Sequence, residues 1–331
     1  MNPFPLACAF AILLSPAVSA APRRDKPGPP ITAENVHQLQ PVGEIDREVM
    51  ELAWGPKPGE LAVLAWEQPI EVLDDRTLKS VRTLADKKRL VHFAFSWDRE
   101  QIAWSVNGTQ AEVEDLRTGK RLAIDAGQSQ PSLAFSPDGK FLATGGYGKE
   151  AKLWDLATGK IARTFDTDTD GGLTIAFSPD GRVLALGNRN SDARIFETAT
   201  GKLLHTLPKR MSHELKFNPS GNMLAVTYVD GSISIWDPAT GKLRHSAESG
   251  AKELYTLDWS PKGDLLATAG REGRIVILDA KGLKPLKELD LAVWVIKVRF
   301  SPDGDKLFAA GGTGNAGSPD RKLMMWGLPA R

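Results

Sequence analysis

The sequence predicts an all-β fold, a seven-bladed β-propeller of four-stranded antiparallel blades whose ring is closed by an N-terminal strand in the last blade. Three observations carry this. First, one pattern recurs seven times: "LAWGPKPGELAVLAW" from Leu52, "FAFSWDREQIAWSV" from Phe93, "LAFSPDGKFLATGG" from Leu133, "IAFSPDGRVLALGN" from Ile175, "LKFNPSGNMLAVTY" from Leu215, "LDWSPKGDLLATAG" from Leu257 and "VRFSPDGDKLFAAGG" from Val298. Its aromatic anchors, Trp54, Phe95, Phe135, Phe177, Phe217, Trp259 and Phe300, are 41, 40, 42, 40, 42 and 41 residues apart, the period of a stacked repeat. Second, each copy has a second half, such as "LWDLATGK" ending at Lys160 or "IWDPATGK" ending at Lys242, with an acidic residue 20 positions after the anchor in six copies. Third, the last copy stops after "KLMMW", one strand short, while "HQLQPVGEI" (His37 to Ile45) stands unpaired before the first.

One copy can be read in order. "LTIAF" (Leu173 to Phe177) alternates apolar and polar residues with period two, as a strand does. "SPDG" is a tight turn, because proline presets its own backbone angle and glycine accepts a positive one. A second strand carries a recurrent small residue, at Ala62, Ala103, Ala143, Ala185, Ala225, Ala267 and Ala309, where a neighbouring sheet is expected to approach closely. "AKLWD" is a third strand, "ATGK" a second turn and "IARTF" a fourth strand. A single blade cannot bury both of its faces, so the blades must pack around an axis. Burying each aromatic anchor contributes roughly 1.5–3 kcal/mol. "HQLQPVGEI" supplies the missing strand of the seventh blade and removes the exposed edges.

With these residues in register, the chain resembles a WD-repeat β-propeller over about residues 38 to 328. "LWD" (Leu153 to Asp155) and "IWD" (Ile235 to Asp237) carry the signature dipeptide, and "FSPDG" is typical of the family. The resemblance implies a non-catalytic scaffold for protein partners. It also implies a buried network of His, Asp, Ser/Thr and Trp in each blade, which this sequence does not complete: no Gly-His precedes a first strand, and Asp230 fits the network acid without its histidine. Stability is therefore expected from apolar packing between blades.

The ends and the composition limit the function. "MNPFPLACAFAILLSPAVSA" has a nine-residue apolar run, Leu6 to Leu14, too short to span a bilayer. Small residues at Val18 and Ala20 make residues 1–20 a signal peptide cleaved near Ala20, although its start lacks Lys or Arg. The product would be exported to a periplasm or secreted, without a transmembrane segment. Cys8, the only cysteine, would leave with the signal. Residues 21–36 read as a Pro-rich linker and 37–331 as the propeller. Lys and Arg number 42 against 41 Asp and Glu, in short runs, so no nucleic-acid or anionic-membrane face is indicated.

Candidate sites sit on the loops. Strand parity puts the "SPDG" and "TGK" turns on one face, and the loops between blades or between second and third strands on the other. "DTDTDGG" (Asp166 to Gly172) joins blades three and four on that second face, and the insertion Gly311 to Lys322 joins strands in blade seven. Asp166, Asp168 and Asp170 have the spacing of calcium ligands. An EF-hand would then need Glu where Phe177 stands, and a shorter calcium loop would need Asp where Thr174 stands. No resident cofactor is expected; calcium is the one alternative. The same three aspartates, with Asn315, Ser318, Asp320 and Arg321, are the candidate interaction residues for a protein partner. The five histidines show no zinc spacing, and there is no Gly-x-Ser-x-Gly elbow or phosphate loop. Of the tryptophans, Trp66, Trp97, Trp104 and Trp294 fall outside the anchor and third-strand positions, and Trp97 replaces a turn proline. The alternatives left open are a periplasmic-type propeller with a ligand, cofactor or active site at its central channel, and a sugar-binding module.

Overall fold

The computed structural model describes residues 28–329 except 66–67, 86–89, 107, 128, 172 and 313–320; the side chains of 130–131, 168–171, 173 and 209–210 are not described. The chain folds as seven antiparallel blades. The innermost strand of each blade touches that of the next, and the innermost strand of blade 7 touches that of blade 1, so the ring is complete. Blade 5 shows the unit: Ser212–Phe217, Leu224–Tyr228, Ser232–Asp237 and Lys242–Glu248, in that order from the axis outward.

Blade 3 departs from the pattern. Its second and third legs are one extended run, Phe141–Asp155. A straight strand rises about 3.3 Å per residue, yet Trp154 Nε1 donates to Thr144 Oγ1 at 2.9 Å. The run therefore folds back on itself without a break, and the blade keeps four legs. Its outer strand, Lys160–Gly171, takes in the stretch expected to be a loop between blades. Asp166 pairs with Glu150 and Gly171 with Gly148. Residues 167–170 are thus a bulge opposite Lys149 alone, part of the blade-three sheet rather than a free connection.

The recurrent turn residues have a common task. In blade 3 the Ser136 hydroxyl donates to Asp138 at 2.6 Å and accepts the Phe141 N–H at 3.0 Å, fixing the start of the second strand. Ser178 and Ser260 repeat the arrangement, and Asn218 substitutes for it in blade 5. Gly139 closes the turn at φ +68°; in blade 2, "SWDRE" puts Arg99 there at φ +62°, a conformation that costs a side chain energy. The acid of the second turn works similarly: Asp155 accepts from the N–H groups of Ala157 and Thr158. These bonds hold its carboxyl below the usual range.

Packing is between blades. Ala103 lies in a cluster with Phe135, Leu142 and Trp154 of blade 3, and Ala143 with Phe177, Leu184 and Phe196 of blade 4. The alanine series ends before blade 7. The residue eight after each anchor is alanine in six blades, but eight after Phe300 is Phe308, not Ala309. Phe308 is fully buried among blade-one residues and meets Trp54 edge to face at 5.3 Å. Both tryptophan anchors add a hydrogen bond that phenylalanine cannot make: Trp54 Nε1 donates to the Phe300 carbonyl at 2.7 Å, and Trp259 Nε1 to the Lys216 carbonyl at 3.0 Å. Among the described residues, parts of the histidine-free network are in place: Trp236 Nε1 donates to the Tyr228 hydroxyl, and Asp230 accepts the Ser232 N–H.

The ring closes as the sequence predicts. Gln40–Ile45 pairs with Arg321–Gly327, from Gln40 opposite Gly327 to Ile45 opposite Leu323. Gly43 packs closely there: a Cβ would stand 2.9 Å from the Met325 methyl, which would have to shift. The fourth strand starts later than expected, because Val36–Gln38 forms a short 3-10 turn. Residues 28–36, read as linker from their prolines, lie against blades 6 and 7. The Ile31 N–H donates to Gly304 O and the Gly28 N–H to Asp305, both at 2.7 Å, while Ile31 and Val36 are buried.

Candidate functional site: the central channel and its mouth

Of the residues singled out from the sequence as candidate site residues, Asp166 and Arg321 have described side chains, and they stand on blades 3 and 7. Asp166 is exposed, and its backbone carbonyl accepts from Arg194 Nη1 at 3.2 Å. Asp168 and Asp170 lie in the bulge, with side chains outside the described set, and Asn315, Ser318 and Asp320 lie outside the described residues altogether. Arg321 has a structural engagement: its Nη1 is 3.1 Å from Glu48 Oε2, which ties the third strand of blade 7 to the connection entering blade 1. Among the extra tryptophans, Trp97 is 54 % exposed on the turn face and Trp104 is fully buried; Trp66 falls outside the described residues.

The largest concentration of charge was not anticipated. The seven innermost strands surround a cavity of about 1020 Å³. The residue before each anchor lines it. Blades 1–4 place Ala53, Ala94, Ala134 and Ala176 there; blades 5–7 place Lys216, Asp258 and Arg299. Two positions further back stand Glu51, His92, Glu214 and Lys297. In the column before the anchor, one half of the wall is therefore small and neutral and the other charged, while Glu51 and His92 carry the network into blades 1 and 2.

The charged half is paired internally. Glu51 Oε1 lies 3.0 Å from Lys297 Nζ and 3.9 Å from Arg299 Nη2, and Arg299 Nη2 lies 3.4 Å from Glu214 Oε1. Lys216 Nζ lies 2.7 Å from Asp258 Oδ1, and His92 Nδ1 lies 3.3 Å from Glu51 Oε2. Spare carboxylate oxygens cap neighbouring strands: Glu214 accepts the Leu257 N–H at 3.0 Å and Asp258 the Phe300 N–H at 2.8 Å. Burial opposes the ionisation of Glu214, but Arg299, Lys297 and Lys216 outweigh it and hold its pKa down at about 2. Glu51 is held lower still: burial is outweighed by Lys297, His92 and Arg299. Arg299 is correspondingly raised, its own burial overcome by Glu214, Asp258 and Glu51.

The mouth on the loop face has a different character. Arg189, exposed just after the second strand of blade 4, donates through Nη2 to His213 Nδ1 at 2.9 Å. Burial, then the Arg189 charge, pushes His213 down to about 4, so the ring is neutral and can accept. Its edge meets Tyr255 at 5.0 Å, and the Tyr255 hydroxyl donates to Glu253 at 2.7 Å. Glu253 also takes Arg271, whose guanidinium lies 5.0 Å from the Trp294 ring centre.

The signal for this site was present in one column of the repeat. The residue before the anchor is alanine four times and charged three times in succession, a break visible only when the copies are aligned and that column is read by itself. Among the described residues no group of three or more His, Cys, Asp or Glu side chains is arranged for a metal ion. No helix among them is long and apolar enough to cross a membrane.

Two family models match parts of the chain. The WD domain, G-beta repeat model matches residues 125–155, the first three legs of blade 3, and the Anaphase-promoting complex subunit 4 WD40 domain model matches residues 208–260, which span blade 5 and the first strand of blade 6. A search of curated proteins found no match. The two matches and the seven-bladed ring together support a WD-repeat β-propeller. Domains of this family mediate protein interactions.

Proposed function

We propose that this protein is a non-catalytic interaction scaffold, exported after cleavage near Ala20, and that its partner docks on the loop face around the channel mouth. One observation carries the reading: the buried carboxylates of the channel are spent on lysines and arginines of the same network, while groups suited to recognition, Arg189, His213, Tyr255 and Trp294, collect at one rim. A general acid or base works best with a pKa near the working pH, and Glu51 and Glu214 lie far below it. Crosslinked capture of the exported protein tests the docking face. Partners should be lost from a Tyr255→Ala/Trp294→Ala variant and kept by Trp97→Ala on the turn face; the reverse pattern, or retention by both, would sink the assignment. Export is checked by N-terminal sequencing: a mature chain starting near Ala21 supports it, and Met1 retained in the cytosol ends it.

The cavity volume favours one second reading, a propeller that holds a small ligand or cofactor in its channel. Mutating channel-mouth residues would then abolish an activity found by screening the purified protein.

Calcium has its own test. Arg194 already brings a positive charge to the carbonyl of Asp166, which opposes a cation there. Millimolar calcium is expected to shift the melting temperature of wild type and Asp168→Ala equally. A shift confined to the wild type would establish a site at Asp166, Asp168 and Asp170.

A further inference from the structure

The two halves of the channel wall differ in what they offer a ligand. The residue after each anchor turns its N–H towards the second strand of its own blade: Ser96 to Gln101 O, Ser136 to Phe141 O, Ser178 to Val183 O, and Asn218 to Met223 O. Neighbouring N–H groups in a strand point to opposite sides. The anchor N–H groups of Phe95, Phe135, Phe177 and Phe217 therefore point to the free edge of the sheet, towards the channel. In blade 7 the equivalent N–H, that of Phe300, is capped by Asp258 of the preceding blade at 2.8 Å. The residue that would cap Phe95, Phe135, Phe177 and Phe217 in the same way is Ala53, Ala94, Ala134 or Ala176, and alanine offers no side-chain acceptor. Blades 2–5 thus present backbone donors to the channel without the carboxylate that answers them in blade 7. Donors that face the channel are open to an acceptor that enters it.

Charge points the same way. The cavity is lined by the cations Arg189, Lys216, Lys297 and Arg299 and by the anions Glu51, Glu214 and Asp258. Lys216, Lys297 and Arg299 lie within 3.9 Å of those carboxylates. Arg189 is the cation left over: among the described residues its contact is with the neutral ring of His213. It stands at the mouth where blade 4, the last with alanine before its anchor, meets blade 5. On the same wall the Thr174 hydroxyl is buried without a hydrogen-bond partner among the described residues.

We propose that the alanine-lined half of the channel receives a carboxylate-bearing polypeptide segment of a partner, entering past Arg189, with its carboxylate oxygens taking the anchor N–H groups that Ala53, Ala94, Ala134 and Ala176 cannot cap. This rests on the scaffold reading and names the chemistry of the partner at that site. A segment fits better than a free small anion because a cavity of about 1020 Å³ is at the upper end of what drug-sized ligands occupy, and the aromatic rim of His213, Tyr255 and Trp294 can hold the flanking residues.

The test uses fluorescently labelled octapeptides graded from zero to six glutamates, each with a free and an amidated C-terminus, titrated into the mature chain by fluorescence polarisation. Two variants accompany the wild type. Arg189→Gln removes the exposed charge at the mouth. Ala134→Asp supplies the missing acceptor for the Phe177 N–H, copying Asp258, and fills the site from within. Glutamate-rich peptides should bind the wild type and weaken with salt. Arg189→Gln should bind them at least about tenfold more weakly, as expected for loss of a charge-assisted hydrogen bond. Ala134→Asp should not bind them, with an unchanged circular dichroism spectrum. If Ala134→Asp does not fold, Arg189→Gln decides alone. Binding that ignores both glutamate content and Arg189→Gln overturns the proposal, as does binding of acetate or phosphate without any peptide. If crosslinked capture yields the same partners from wild type and Arg189→Gln, the acidic segment is refuted while the scaffold reading stands. Failure of the scaffold reading is a different result: no partner captured by the wild type at all.

Discussion

Deleting residues 28–46 is expected to abolish cooperative folding of the whole propeller, not only of its last blade. The segment does three things at once. Gln40–Ile45 pairs with the strand Arg321–Gly327, whose outer edge would otherwise be open. Ile31, Val36 and Leu39 fill an apolar cluster with residues of blades 6 and 7, and Val42 and Ile45 pack on the blade-one cluster around Leu52. Lys322 and Glu44 add an ion pair across the same strands at 3.4 Å. Burying Ile31, Val36 and Leu39 alone stabilises by roughly 5–9 kcal/mol at about 1.5–3 kcal/mol each. A typical domain has only about 5–15 kcal/mol in total. Thermal melts and size-exclusion chromatography give the readout. The shortened chain should aggregate or melt more than about 10 °C below the parent, and a synthetic peptide of residues 28–46 should restore the transition. A shortened chain that melts within a few degrees of the parent would show that the ring does not depend on this closure. Removing only residues 1–27 should leave the melting temperature where it was.

This closure was legible because it follows from counting: seven anchors, a seventh copy one strand short, and one spare strand at the start. Features repeated in most copies were legible too, such as the tight proline–glycine turns. What escaped the sequence depended on which blade meets which. The expected alanine at position 309 is displaced by Phe308 because the seam between blades 7 and 1 is packed with an aromatic pair rather than a small residue. "DTDTDGG" reads as a loop by composition, but the fold-back of Phe141–Asp155 gives it a partner strand and turns it into a bulge. Prolines at 22, 27, 29 and 30 made residues 21–36 look like linker, yet Ile31 and Val36 find apolar cover. The channel network was hidden for another reason. Glu51, Glu214, Asp258, Lys297 and Arg299 are scattered over 249 positions (299 less 51, both ends counted), and only closure of the ring brings charges from blades 1 and 5 to the same guanidinium.

Replacing that guanidinium should have the largest single-residue effect on stability. Arg299 is 12 % exposed and lies between Glu51 and Glu214, which are 11 % and 13 % exposed. Arg299→Leu fills the volume but leaves two buried carboxylates with Lys297 and Lys216 as their remaining cations. Breaking a buried pair by removing one partner costs about 3–5 kcal/mol. The exposed pair Arg121–Glu114 is the control, and Arg121→Leu should cost no more than about 1 kcal/mol. The pH dependence separates charge from packing. Glu214 ionises at about 2 in the folded chain against an ordinary 4.5, and Glu51 lies lower still. Groups with a depressed folded pKa stabilise fully above the unfolded value and lose that contribution as pH falls towards the folded one. The wild type should therefore lose stability from about pH 5 down to about pH 2. In Arg299→Leu the carboxyl groups are no longer held so low, can protonate at pH 3, and stop opposing burial. The gap between wild type and variant, read as urea midpoints, should thus be widest at pH 7 and narrow at pH 3. A gap of the same size at both pH values would mean that Arg299 acts by filling space, and that the charge network crossing the channel contributes nothing through its charge.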